Sequence, residues 1–382
     1  MKKIFAAITS LLIIGSCSTK DSVSEMLEGK LSVNVYLDKI EIAKILDQKK
    51  FTDILILLHN KVKKEKIISH LNLTEDIYNN LINHLFMNGL IKSSDGKQFV
   101  PACMVVTSKE EEEFNRYVSP FANDLAEIVI GKHQIVKEKY LQINSFFNIS
   151  FDELSLFILY NVMLDKWQSE NVVQKFLRSD ITQRGNNNYY LMIKISDTTL
   201  VQEKKIWIEN KFTDYNDYYL FGFGRISRRK NFFDITREEL ISDFRMSESA
   251  LDSTFKKRIV DDLIKFMGGE INAANPDLTF PLNKYGLLKN NELLLPVISK
   301  RDNELILQIA GLITDELINY LDKNRPAFVK QYLSSGYKDE VNFREWLFWL
   351  YKFIIAETAN ILYDKGYIKQ PSRELFYYIE NK

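Results

Sequence analysis

Residues 64–91 read KEKIISHLNLTEDIYNNLINHLFMNGLI, and the spacing of their apolar side chains decides the architecture. Lys64 to Leu71 reads as a short helix and Asn72-Leu73 as a turn. Thr74 is placed to cap a new helix, with Glu75 and Asp76 in the first turn, where the positive end of the helix dipole favours acids. Ile77, Leu81, Ile82 and Leu85 then line one face, and Asn88-Gly89 marks the stop. Upstream, Leu37 to Asn60 carries apolar residues at helical spacing: Ile40, Ile42, Ile45 and Leu46, then Ile54, Leu55, Leu57 and Leu58. Downstream, LIKS reads as a strand, Asp95-Gly96 as a tight turn and QFVPACMVV as the returning strand.

Three helices followed by a two-stranded wing resemble a winged helix-turn-helix domain, over residues 37–107. The resemblance implies a third helix that enters the DNA major groove and reads bases through Arg, Lys, Asn or Gln. Here that helix, TEDIYNNLINHLFMNGL, has no Lys or Arg, and its first turn would repel phosphates. Asn79, Asn80, Asn83 and His84 are of a type that can bond bases, but the wing adds only Lys92 and Lys97. The whole chain balances 51 basic against 51 acidic residues, whereas neutralising phosphates normally demands a basic excess. Nucleic acid is therefore not the expected partner, and a winged helix serves equally as a protein-binding scaffold.

Further along, TSKEEEEFNRYV opens a helix that continues through FANDLAEIVIGK, and a second is expected around HQIVKEKYL. FDELSLFILYNVMLDKW reads as a long interior helix, having few polar positions. Between 185 and 235, NNNYYLMIKIS, KKIWIE and YYLFGFGRIS read as aromatic strands. The chain then repeats itself. KIISHLNLT (66–74) aligns with ELISDFRMS (239–247), and Gly89-Leu-Ile-Lys with Gly286-Leu-Leu-Lys. Leu125, Tyr140 and Phe151 match Leu317, Tyr332 and Phe343 at a constant offset of 192. An insertion in the second copy, MGGEINAANPDLTFPLNK, accounts for the changed offset and reads as turns. Lys256-Lys257-Arg258 is expected to close the second copy's recognition-type helix, its charge balanced by Asp261, Asp262, Glu238 and Glu239; Arg225, Arg228, Arg229 and Lys230 precede the unit.

The first twenty residues are MKKIFAAITSLLIIGSCSTK. Lys2 and Lys3 precede an apolar run from Ile4 to Ile14, broken only by Thr9 and Ser10. That run is shorter than the roughly 20 residues a membrane-spanning helix needs, and it fits a secretory signal peptide. Ile14-Gly15-Ser16-Cys17 resembles the lipobox of bacterial lipoproteins. The resemblance implies that the Cys17 thiol carries a diacylglyceryl group, that cleavage makes Cys17 the new N-terminus, and that palmitate-type chains anchor the protein. Ser18 stands at the second position of the processed chain, where Asp would retain a lipoprotein in the inner membrane, so the outer membrane is the expected address.

No enzymatic motif appears. His59, His70, His84 and His133 lack partners at metal spacing, and HExxH, G-x-S-x-G and P-loop patterns are absent. Gly222-Phe-Gly224 reads as a strand bend. Cys103 sits in the apolar VPACMVV and reads as a buried hydrophobe. Glu153, Glu345 and Glu357 lie on aromatic helices, where a carboxylate either works at a raised pKa or, as is commoner, caps the helix or pairs with a cation. Glu110 to Glu113 reads as a solvated helix start. The aromatic patch Phe343, Trp346, Phe348, Trp349, Tyr351 and Phe353 reads as packing between the two copies.

The expected fold is therefore α+β, mostly α: two winged-helix-like units, each followed by helices, with a small aromatic-rich β region between them. The divisions are a signal peptide (1–16), a tether (17–35), a first unit (36–185) and a second (186–382). The expected role is that of a cell-envelope lipoprotein, bound to the membrane through Cys17 and docking a protein partner. No cofactor, metal or small-molecule ligand is indicated. Two other readings are a cytoplasmic winged-helix regulator on DNA and an envelope hydrolase whose site carries no motif.

Overall fold

The computed structural model describes residues 22–36, 45–46, 48–94, 98–178, 181–184, 187–197, 208–225, 231–267, 276–289, 292–293, 295–371 and 375–382. The signal segment with Cys17, the Asp95-Gly96 turn with Lys97, and Arg228, Arg229 and Lys230 lie outside the described residues. The chain is α+β and mostly helical.

The first half opens with α1 (Ser22–Met26) and strand β1 (Lys30–Tyr36). Three helices follow: α2 (Lys49–His59), α3 (Lys64–His70) and α4 (Glu75–Met87). The Thr74 hydroxyl accepts from the Ile77 N–H, as its position demands, and α4 ends at Gly89, whose φ of 66° only glycine adopts freely. Strand β2 (Ile91–Ser94) pairs antiparallel with β3 (Gln98–Pro101). The expected single returning strand is two: after Ala102-Cys103 the chain starts β4 (Met104–Val106), which joins a different sheet. The two helices expected next are one, α5 (Ser108–Tyr140), opened by a capping box between Thr107 and Glu110. The long apolar helix expected at FDELSLFILYNVMLDKW is broken. It consists of α6 (Phe151–Leu156), a π-helical stretch (Phe157–Val162), a bend at 163–165, α7 (Lys166–Asn171) and a second π-helical stretch (Val172–Leu177). A short hairpin of β5 (Gln183–Arg184) and β6 (Asn187–Asn188) leads into β7 (Tyr190–Ser196), which pairs antiparallel with β1 and parallel with β4. The boundary drawn at 185 thus assigns to the second part a strand that completes the first sheet.

The second half begins with β8 (Ile208–Tyr215) and β9 (Tyr218–Arg225). Helices α8 (Arg237–Asp243), α9 (Phe255–Met267) and α10 (Pro276–Lys284) precede a hairpin of β10 (Leu288–Lys289) and β11 (Glu292–Leu293). Lys256-Lys257-Arg258 opens α9 rather than closing it, and PDLTFPLNK is helix rather than turn. Strand β12 (Val297–Ile298), the long α11 (Lys300–Ser334), the unbroken α12 (Phe343–Asp364) and β13 (Leu375–Asn381) complete the chain. The second sheet runs β12-β13-β9-β8, so the aromatic strands form no separate module between the halves. No helix among the described residues is long and apolar enough to cross a membrane.

Alternation along the central strands sets the layers. Tyr190 and Met192 of β7 face a core shared by both halves, whereas Tyr189, Leu191 and Ile193 face the core of the first helical unit. Phe376 and Tyr378 of β13 likewise face the shared core, and Tyr377 and Ile379 the second helical unit. The aromatic patch of α12 lies in the shared core, with Phe353 stacked on Phe114 of α5 at 5.0 Å.

Contacts recur between the halves at one spacing. The Tyr140 hydroxyl donates to the Ile149 carbonyl (2.5 Å) and the Tyr332 hydroxyl to that of Val341 (2.7 Å), each partner 192 positions from its counterpart. Ser150 and Asn342, also 192 apart, accept from the N–H of Glu153 and Glu345. Two of these contacts cross from half to half. Ser145 Oγ donates to the Val297 carbonyl (2.8 Å), and the Tyr337 hydroxyl donates to that of Val105 (2.9 Å). Each half therefore grips the strand before the other's long helix, with the turn that follows its own.

Candidate functional site

The most accessible candidate is the outer face of α4. Tyr78, Ile82 and Leu85 are buried, which leaves Glu75, Asp76, Ile77, Asn79, Asn80, Asn83, His84, Phe86 and Met87 outside. Phe86 is 52% exposed and Met87 78%. Phe86 meets Phe99 of β3 edge-on at 6.2 Å, so wing and helix offer one surface. Lys64, the nearest cation, is already paired with Glu75 at 2.7 Å. The acidic first turn of this face would repel a phosphate backbone. On α9 the basic run is engaged: Lys256 donates to the Phe233 carbonyl (3.1 Å), Lys257 pairs with Asp261 (2.9 Å), and Arg258 with Asp252 (2.8 Å).

Beneath the first helical unit lies a buried polar seam that the sequence did not disclose. His59 ends α2, and its ring is held from both sides: Nδ1 lies 2.7 Å from Glu340 and Nε2 3.0 Å from Glu110. Burial alone would drive the imidazole towards its neutral form, but the hydrogen bonds that its ring N–H groups donate to Glu110 and Glu340 outweigh that and hold its pKa up at about 10. The carboxylates respond unequally. Burial raises Glu340, while Glu110, also opposed by burial, is held low by His59 and by the Thr107 N–H and hydroxyl. The carboxylates sit on opposite ring edges, so no single point lies within ligand distance of all three, and this is an ion triplet rather than a metal site. The expected solvated run 110–113 is thus half wrong: Glu110 faces His59 and Glu111 pairs with Lys194 (3.2 Å), leaving Glu112 and Glu113 in water.

Arg184 and Glu345 form the second element of the seam, with side chains 2% and 0% exposed. The Arg184 guanidinium donates to both Glu345 oxygens (2.7 and 2.6 Å), to the Ala102 carbonyl at the β3–β4 kink, and to the Tyr189 carbonyl. Glu345 also accepts from the Leu191 N–H at 2.9 Å. Burial pushes the Glu345 carboxyl up, against the pull of Arg184. Of the two roles weighed for Glu345, pairing with a cation is the one present. Glu357 accepts from Asn360 (3.0 Å), and Glu153 lines a shallow apolar recess with Ile149, Phe157, Phe223 and Phe376.

The break in the first half's helix carries buried polar side chains where α12, 192 positions on, runs straight. Lys352 donates to Ser169 Oγ (2.9 Å) and to the Asp165 carboxylate. Ser169 in turn donates to the Asp165 carbonyl (2.8 Å), so its hydroxyl braces the bend and is not presented as a nucleophile. Gln168 donates to Thr314 of α11 at 3.0 Å. Lys166 pairs with Glu380 and lies over the rings of Phe221 (3.7 Å) and Trp167 (4.4 Å).

The remaining residues behave as structure. His84 stacks on Phe51 (5.0 Å), and His133 packs edge-on against Tyr367 (4.8 Å). Burial pushes the Cys103 thiol far above its ordinary range, which makes it inert. A side chain at Gly222 would meet the Phe233 ring at 2.5 Å, so close packing of that ring explains the glycine. Among the described residues no three His, Cys, Asp or Glu side chains are grouped to hold a metal ion. Comparison with known proteins finds no matching family model, no matching curated protein and no matching solved structure.

Proposed function

We propose that this chain is a cell-envelope lipoprotein, tethered through acylated Cys17, whose helical units act as docking modules for a protein partner. The observation that carries the docking role is the outer face of α4, which exposes Ile77, Phe86 and Met87 among acids and amides and has no Lys or Arg of its own. In this reading α2 to α4 with the β2–β3 hairpin are a winged helix put to work on protein, and α8 to α10 with β10–β11 its diverged copy. The anchor rests on the order Ile14-Gly15-Ser16-Cys17 behind a short apolar run, and Ser18 favours the outer membrane over the inner.

Metabolic labelling with a palmitate analogue tests the tether. The wild-type chain should take up label and Cys17→Ala should take up none; label retained in Cys17→Ala would remove the anchor. Duplex DNA tests the module: the purified chain should show no binding at physiological salt, and binding that falls steeply with added salt would replace docking with DNA recognition.

A further inference from the structure

The two sheets are built alike except for one strand. In the first, β4 precedes the long α5, β7 lies parallel to β4, and β1 flanks β7 antiparallel, ahead of the first helical unit. In the second, β12, β13 and β9 repeat that order and those directions, and β12 stands 192 positions after residues 105–106 of β4. The second sheet then adds β8 on the outer side of β9, antiparallel to it and joined by the turn at Asn216-Asp217. The first sheet has no such addition: among the described residues β1 is its outermost strand. The chain ahead of β1 does not run alongside it as β8 runs along β9. It forms α1, whose Val23 is buried in the core of the first helical unit, with Met26 and Leu27 packed there too.

As an edge, β1 is also undefended. An outermost strand is normally kept from pairing with other chains by charged side chains, Pro or a bulge. β8 carries Glu209, Lys211 and Asp214 along its length, whereas β1, KLSVNVY, has Lys30 at its first position and no charge, Pro or bulge after it. The strand is its own complement when reversed. Set antiparallel to a second β1 about Val33, Leu31 meets Val35, Ser32 meets Asn34, and Val33 meets Val33. Leu31, Val33 and Val35 share one side, opposite Ile195, Ile193 and Leu191 of β7, while Ser32 and Asn34 share the other. Apolar thus meets apolar and hydroxyl meets amide, and Leu31, 39% exposed, gains cover. A two-fold axis makes such a pair antiparallel, as β8 and β9 are. We propose that β1 pairs with β1 of a second copy of this chain, so that two three-stranded sheets become one of six strands. This association needs neither the acyl anchor nor the α4 face.

Light scattering on the purified full chain, with bound detergent subtracted, tests it over a micromolar concentration series. The wild-type chain should reach twice the mass of one chain. In Ser32→Glu/Asn34→Glu two like-charged pairs face each other across the axis, and the dissociation constant should rise about tenfold or more. In Ser32→Glu/Asn34→Lys the same positions face as opposite charges, and association should return to the wild-type level. Both variants place a carboxylate opposite Lys194 of β7, so any cost to the fold from that change is common to them. A wild-type chain that keeps the mass of one chain throughout overturns the proposal. A dimer that Ser32→Glu/Asn34→Glu leaves intact forms through another surface, and one that Ser32→Glu/Asn34→Lys fails to restore is not paired in this register; either result also overturns it.

Discussion

Arg184→Ala should cost the fold about 3–5 kcal/mol, the range expected when one partner of a buried ion pair is removed. Loss of the guanidinium strands the Glu345 carboxylate, and also the carbonyls of Ala102 and Tyr189, in a site that water does not reach. A typical domain is stable by only about 5–15 kcal/mol, so the variant should sit near its limit at neutral pH. Urea unfolding would show the midpoint fall, and acidification should restore part of it as Glu345 takes up a proton, its pKa being raised already by burial. The double change Arg184→Met/Glu345→Leu removes both charges and should recover the part of the loss that comes from the stranded carboxylate, while the Ala102 and Tyr189 carbonyls and the Leu191 N–H stay without their partners. If Arg184→Ala and the double variant unfold alike, the pairing is not what the site contributes.

His59→Ala should lose a similar amount, about 3–5 kcal/mol, by leaving Glu110 and Glu340 facing one another without a cation. Its pH signature separates it from Arg184. In the unfolded chain the imidazole gives up its proton near 6.5, whereas in the fold it keeps it to about 10. The triplet's contribution is therefore whole below pH 6.5 and drains away as pH climbs towards 10. Wild-type stability should decline across that window by an amount on the order of a few kcal/mol, and the His59→Ala profile should be much flatter, what fall remains near its upper end coming from Cys103, whose thiol ionises first in the unfolded chain. A wild-type midpoint that holds steady from pH 6.5 to 10 would mean that the imidazole is neutral in the fold.

What the residues reveal unaided follows from range. Thr74 caps α4 and Gly89 stops it because each acts on neighbours within four positions. The spacing of 192 was legible because the paired anchors keep their residue types. His59 gave no hint of Glu110 and Glu340, which lie 51 and 281 positions away, and Arg184 none of Glu345, 161 away. Local pattern carries no information on such pairs. The strand after the β2–β3 hairpin failed for another reason. QFVPACMVV is apolar after Gln98, and its one sign that a strand stops there is Pro101, which has no N–H to give a ladder; nothing in it says that Met104 joins another sheet. The break near Asp165 was hidden because no Gly or Pro stands between Phe151 and Trp167 to mark it, and the Lys352 that braces the bend sits 187 positions off.

The crossed contacts of Ser145 with Val297 and of Tyr337 with Val105 are two halves of one handshake. A single such half would have nothing to clasp except a second copy, and that assembly would depend on concentration. Joining the twins end to end replaces that encounter with a covalent link, so the partnership survives dilution. The clasp also leaves the rest of each half free to differ, as the broken helix of the first and the unbroken α12 at the matching position of the second do.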